Sequence, residues 1–138
     1  MSFIYDRFKQ AMMEDAVGAS LEAAGTDIKV VLLNVTGTGT LYVPTQATHE
    51  FITDVPVAAR IATSGNLTGK AVSGRNFNAD DITLTAVTGA AGEAVLLFID
   101  TGTASTSRLI CYLDEGVMFS PDGNNITVTW SSSGIFDL

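Results

Sequence analysis

One cysteine in 138 residues rules out a disulfide within the chain. Cys111 lies in the apolar run Leu109-Ile110-Cys111-Tyr112-Leu113, where a thiol acts as a small buried hydrophobe. A chain without disulfides fits folding in a reducing cytoplasm. A single histidine, His49, leaves any zinc site short of ligands. Basic residues are also few. Arg7, Lys9, Lys29, Arg60, Lys70, Arg75 and Arg108 are scattered against 15 acidic residues, for a net charge of −8. Nucleic-acid binding depends on clustered Lys and Arg displacing counterions from phosphates, so no nucleic-acid partner is expected. The longest apolar run, Ala94 to Ile99, is far too short to span a bilayer. Asp6, Glu14 and Asp15 near the start do not suit a signal peptide. A soluble protein with no membrane contact is expected. No phosphate-binding glycine loop and no nucleophile elbow appears. The sequence therefore predicts no cofactor, no metal, no catalytic residues and no small-molecule substrate.

What is present is apolar and β-prone. Apolar residues make up 46% and charged residues only 16%, against a usual ~25% charged. Thr and Val are stiff at χ1 and fit pleated surfaces, while Gly supplies turns. The length suits one domain spanning residues 1–138, large enough to fold on its own core. One helix is predicted over about residues 3–17, because Ile4, Phe8, Met12 and Ala16 recur every fourth position. Ser2 is placed to cap it. Phe3, Ile4, Phe8 and Met12 are expected to share its buried face. A weaker continuation runs through Leu21-Glu22-Ala23-Ala24, between Gly18 and Gly25.

Beyond Gly25 the period changes. Ile28 to Val35 is an almost unbroken apolar run, as expected of a strand buried on both faces. Thr36-Gly37-Thr38-Gly39-Thr40 reads as a loop, and Glu50-Phe51-Ile52 could open one helical turn stopped at Pro56. Further strands are predicted over residues 60–63, 67–72, 82–87, 94–99, 107–113 and 126–130, with turn chemistry between them. Ile82 to Ala86 and Ile126 to Trp130 alternate as strands with one wet face do. The fold class expected is mainly β: an antiparallel β-sandwich or barrel with one N-terminal α-helix.

One segment carries a catalytic pattern. Phe98-Ile99-Asp100-Thr101-Gly102-Thr103 reads like the catalytic loop of aspartic proteases, in which an Asp at a strand end shares a proton with its dimer mate. A homodimeric protease using Asp100 is the alternative of a different class. Asp-Thr-Gly is also an ordinary hairpin turn, in which Asp caps its own backbone and Gly takes positive φ. The supporting strand-Gly element of that family has no counterpart, and Ala104-Ser105-Thr106-Ser107 is a polar turn where a flap would begin. His49-Glu50 is half of a metal motif and reads as a turn or interface pair. Asp80-Asp81 and Asp114-Glu115 lack the alternating spacing of a calcium loop. Asn34, Asn66 and Asn125 open glycosylation-like triplets that read as turn Asn leading into strand Thr.

The order of several unspecific segments carries a resemblance. They are Ala47 to Pro56, Ala59 to Thr63, Leu67 to Lys70, Ala79 to Val87, Asp100 to Asp114, and Pro121 to Trp130 with Ile135-Phe136. From about Asp27 to Leu138 the chain resembles small virion-associated proteins of tailed phages and prophages. The resemblance implies a non-enzymatic particle component, in the virion after assembly in the host cytoplasm. A capsid decoration (cement) protein is the first expectation, sitting as a homotrimer on the major capsid protein; a tail or baseplate subunit is the alternative. Within that family Asp100-Thr101-Gly102 falls in a hairpin between strands. The apolar stretches Phe3-Ile4-Tyr5 and Ile135-Phe136-Asp137-Leu138 are expected to meet in contacts between copies; the alternative is a monomer in which both fold back onto their own sheet.

Overall fold

A computed structural model describes residues 1–14, 16, 19–22, 25–35 and 41–138. The expected loop at 36–40 lies outside the described residues, as do Ala23 and Ala24 of the expected helical continuation; Leu21 and Glu22 form a bend and not a helix. The fold is mainly β with antiparallel sheets and one helix near the N-terminus.

The centre is a five-stranded sheet. Its middle strands are β2 (Asp27–Leu33) and β7 (Ala94–Asp100), which pair along their whole length from Asp27↔Asp100 to Leu33↔Ala94. β8 (Leu109–Leu113) follows β7, β3 (Arg60–Thr63) follows β2, and β1 (Phe3–Ile4) forms the outer edge beside β8. Among the described residues the order β1-β8-β7-β2-β3 leaves both edges open, as in the layered form of the expected fold. Val30 to Leu33 and Ala94 to Ile99 are all buried. The unbroken apolar runs reflect cover on both faces. Opposed residues point to the same side of a sheet. Ile28, Val30, Leu32, Val95, Leu97, Cys111 and Leu113 therefore share one face, and Val31, Leu33, Leu96, Phe98 and Tyr112 share the other.

The second face meets an aromatic cluster. Phe3 stacks on Tyr112 with centroids 5.5 Å apart, and Tyr42 lies 6.3 Å from the same ring. The first face is covered by a cap drawn from two distant stretches, residues 68–91 and 118–138. The cap holds a three-stranded sheet of β4 (Ala71–Ser73), β5 (Asn76–Asn78) and β10 (Phe136–Asp137), and a pair of β6 (Ile82–Leu84) with β9 (Ile126–Val128). Trp130 and Asp80-Asp81 lock these pieces together: Trp130 N–H donates to Asp81 Oδ1 at 2.9 Å and its indole N–H to the Asp80 carbonyl at 3.1 Å.

The helix corrects the expected boundaries. α1 spans Asp6–Met13, shorter than the predicted 3–17, because Phe3 and Ile4 pair with Tyr112 and Cys111. Phe8 and Ala11 are its buried residues, and Met12 is only partly covered. Ser2 does not cap it: the Ser2 hydroxyl accepts from the Asp114 N–H at 3.1 Å. Around residue 50 the chain forms two single 3-10 turns, Ile52–Asp54 and Val57–Ala59, on either side of Pro56. β6 stops at Leu84, short of the expected Val87, since Ala86 takes φ 49°. A β-strand cannot continue through that conformation. β1, β5 and β10 were not expected from the sequence. The terminal apolar stretches are engaged within the chain, β1 against β8 and β10 against β5. Leu138 keeps 45% of its surface exposed.

Candidate functional site

Asp100 ends β7 and opens the turn into β8. Its Oδ2 receives Lys29 Nζ at 2.5 Å, and its Oδ1 accepts the Gly102 N–H at 2.9 Å. Gly102 sits at φ +85°, which its missing side chain permits. The rest of the loop closes on itself. The Ser107 hydroxyl donates to the Thr103 carbonyl at 2.9 Å, and the Thr101 and Thr106 hydroxyls lie 2.6 Å apart. Both oxygens of the candidate carboxylate are thus occupied by partners that favour its charged form. The Lys29 hydrogen bond first, then the Gly102 N–H, hold its pKa below the ordinary carboxylate value. In a proton-sharing pair a second carboxyl raises one of the two values; here the partners of Asp100 are a lysine and a backbone N–H.

This geometry gives a measurable consequence. A carboxyl with a depressed folded pKa stabilises the fold above its unfolded pKa, and that contribution disappears as pH falls through the folded value. Asp100→Asn keeps an acceptor for Gly102 but loses the ion pair with Lys29. It should cost about 0.5–1 kcal/mol at neutral pH, the range of partly exposed pairs, and progressively less at acid pH as Asp100 itself becomes protonated. Urea midpoints of both proteins at neutral and acid pH measure it. An equal cost at both would reject the ion-pair account.

The His49-Glu50 pair diverges. Glu50 Oε1 meets Arg108 Nη1 at 2.8 Å, and the Arg108 guanidinium lies 5.1 Å from the Phe51 ring centroid. His49 turns the other way: its Nδ1 accepts the Thr45 N–H at 3.3 Å and lies 3.0 Å from the Tyr42 hydroxyl. The Tyr42 hydroxyl in turn lies 2.8 Å from that of Tyr5. This hydroxyl line was not legible from sequence, since Tyr5 and Tyr42 are 37 residues apart. Burial pushes Tyr42 up to about 12 and raises Tyr5 further still. Neither phenol ionises near neutral pH. The line is a packing device that pins the 41–59 segment to the aromatic face. Tyr5→Phe removes one buried hydrogen bond while the Tyr42 hydroxyl keeps His49, so a loss of about 1 kcal/mol is expected. Thermal unfolding would check it, and an unchanged midpoint would argue against the role.

Arg60 is a second feature that sequence reasoning passed over. Its guanidinium donates to the Val55 carbonyl at 3.1 and 2.6 Å and to the Ile52 carbonyl at 2.6 Å, closing the two 3-10 turns. The paired acids are similarly occupied. Asp80 Oδ2 accepts from the Thr68 hydroxyl at 3.2 Å, and Asp114 pairs with the N-terminal ammonium. Among the described residues no group of three or more His, Cys, Asp or Glu is placed to hold a metal. Cys111 is fully buried, which pushes its thiol pKa up to about 12.

The surface is the remaining candidate. Met118 is 89% exposed, Met13 82% and Val57 76%, with Val43 and Val72 also exposed. No protein-family model matches the chain, and no curated protein matches it in sequence.

Proposed function

We propose that the chain is a non-enzymatic structural subunit of a tailed-phage particle, and specifically a capsid decoration protein that docks as a trimer on the major capsid protein. The observation that carries this reading is the exposure of Met13, Met118 and Val57 in a chain with only 16% charged residues. Flexible apolar side chains of this kind suit protein contacts, and many weak contacts repeated over a shell hold by multivalency. The occupied Asp100 carboxylate supports the non-enzymatic half of the reading. The net charge of −8 keeps free copies apart before assembly.

Sedimentation of the purified protein, followed by binding to empty capsids, tests the proposal. A trimer that binds capsids is expected. A strict monomer that ignores capsids and enters isolated tails would replace it with a tail subunit. Peptide hydrolysis from acid to neutral pH that vanishes in Asp100→Asn would replace it with the protease.

A further inference from the structure

The cap and the central sheet meet along an incompletely filled seam. A groove of about 450 Å³ lies between Met12 of α1 and Val72 of β4. A second of about 450 Å³ lies between Cys111 of β8 and Phe136 of β10. Two more, of about 420 and 240 Å³, separate Val95 of β7 from Val128 of β9. Neighbouring grooves share lining residues: Leu138 joins the first two, Leu113 the next, and Val95 the last. All four grooves open to solvent. On the sheet side Val95, Leu97 and Cys111 are buried and Leu113 is partly covered, while Ile126, Val128, Ile135 and Phe136 on the cap side are all only partly covered.

Hydrogen bonding divides the molecule along the same line. The two cap stretches are bonded to each other: Ile135 N–H donates to the Phe77 carbonyl at 2.8 Å, Leu138 N–H to Arg75 at 2.9 Å, and Val87 N–H to Asn124 at 3.0 Å. Between cap and sheet layer, the backbone bonds among the described residues are one reciprocal pair. It links Gly92 and Phe119 at 3.0 Å in each direction. Lys70 adds a side-chain bond to the Thr26 carbonyl.

We infer that residues 68–91 and 118–138 open from the central sheet as one cooperative unit, pivoting at Gly92–Phe119, while β2, β7 and β8 remain paired. Sub-global openings of this kind follow units that are bonded within themselves and weakly bonded to the rest. The opened form bares the apolar face that carries Cys111. The closed form hides it.

Cys111 is the only thiol, so the unmodified protein reports its own opening. Alkylation of Cys111 by iodoacetamide in low urea is followed by mass, with amide hydrogen exchange read in parallel. Cys111 should react through an opening at least tenfold more populated than the one that exchanges the Val31 and Leu96 amides, and with a weaker urea dependence. The Val87, Ile135 and Leu138 amides should exchange together with it. Phe119→Ala should speed alkylation tenfold or more with less change at Leu96. Three results would overturn the inference. One is a common opening population and urea slope for Cys111 and Leu96. Another is cap amides that exchange independently of one another. The third is Cys111 reaction that tracks the Tyr5 amide, bonded to Ile110, which would place the opening at the N-terminal edge.

Discussion

Phe8→Ala should lower the free energy of unfolding by about 3–5 kcal/mol, the usual cost of truncating a buried aromatic. Phe8 is 1% exposed and is the one large side chain that α1 buries fully. The helix has only eight residues and lacks a side-chain cap, so its intrinsic propensity contributes little. A helix this short holds its shape through packing. Removing the ring opens a cavity in the buried cluster that Phe8 joins. Met13→Ala on the same helix is the internal comparison. At 82% exposure it should change stability by less than about 0.5 kcal/mol. Urea unfolding of both variants measures the contrast. A Phe8→Ala midpoint as close to the parent as that of Met13→Ala would refute the packing account.

Gly92→Ala should destabilise by about 1–3 kcal/mol despite adding a single methyl group, because overpacking costs that much. A Cβ at Gly92 would run into the Phe119 ring and the Leu33 carbonyl. The ring could turn aside; the carbonyl belongs to β2 and cannot. Phe119→Ala in the Gly92→Ala background relieves one of the two clashes, so the pair should be non-additive. Strict additivity in a double-mutant cycle would show that the ring and the methyl group do not meet.

Legibility in the sequence tracked how local the determinants are. β2, β7 and β8 were readable because each is an apolar run ended by turn residues, such as Asp100-Thr101-Gly102 after β7. The alternation of Ile82-Thr83-Leu84 and Ile126-Thr127-Val128 was also readable, and Thr83 and Thr127 face each other with hydroxyls 2.9 Å apart. Phe3 and Ile4 were misplaced because the fourfold spacing from Ile4 to Phe8 and Met12 suits a helix equally well. Pairing with Tyr112 and Cys111 overrides it. Asn76-Phe77-Asn78 looks like a turn, and only Val72 on one side and Phe136 on the other make it a strand. At the candidate site, the Asp100 turn is local and was legible. Its Lys29 partner, 71 residues away in sequence, was not.

Because the cap is knitted from two stretches far apart in the chain, its assembly is ordered in time. Asn76 reaches Asp137 across 61 residues and Thr83 reaches Thr127 across 44. Closures of that span carry an entropic cost before any contact rewards them, and they slow folding. During synthesis, β2, β7 and β8 are complete before β9 and β10 exist. One apolar face of the sheet is then bare, with half of its cover still unmade. Chaperones and neighbouring nascent chains compete for that face during this interval.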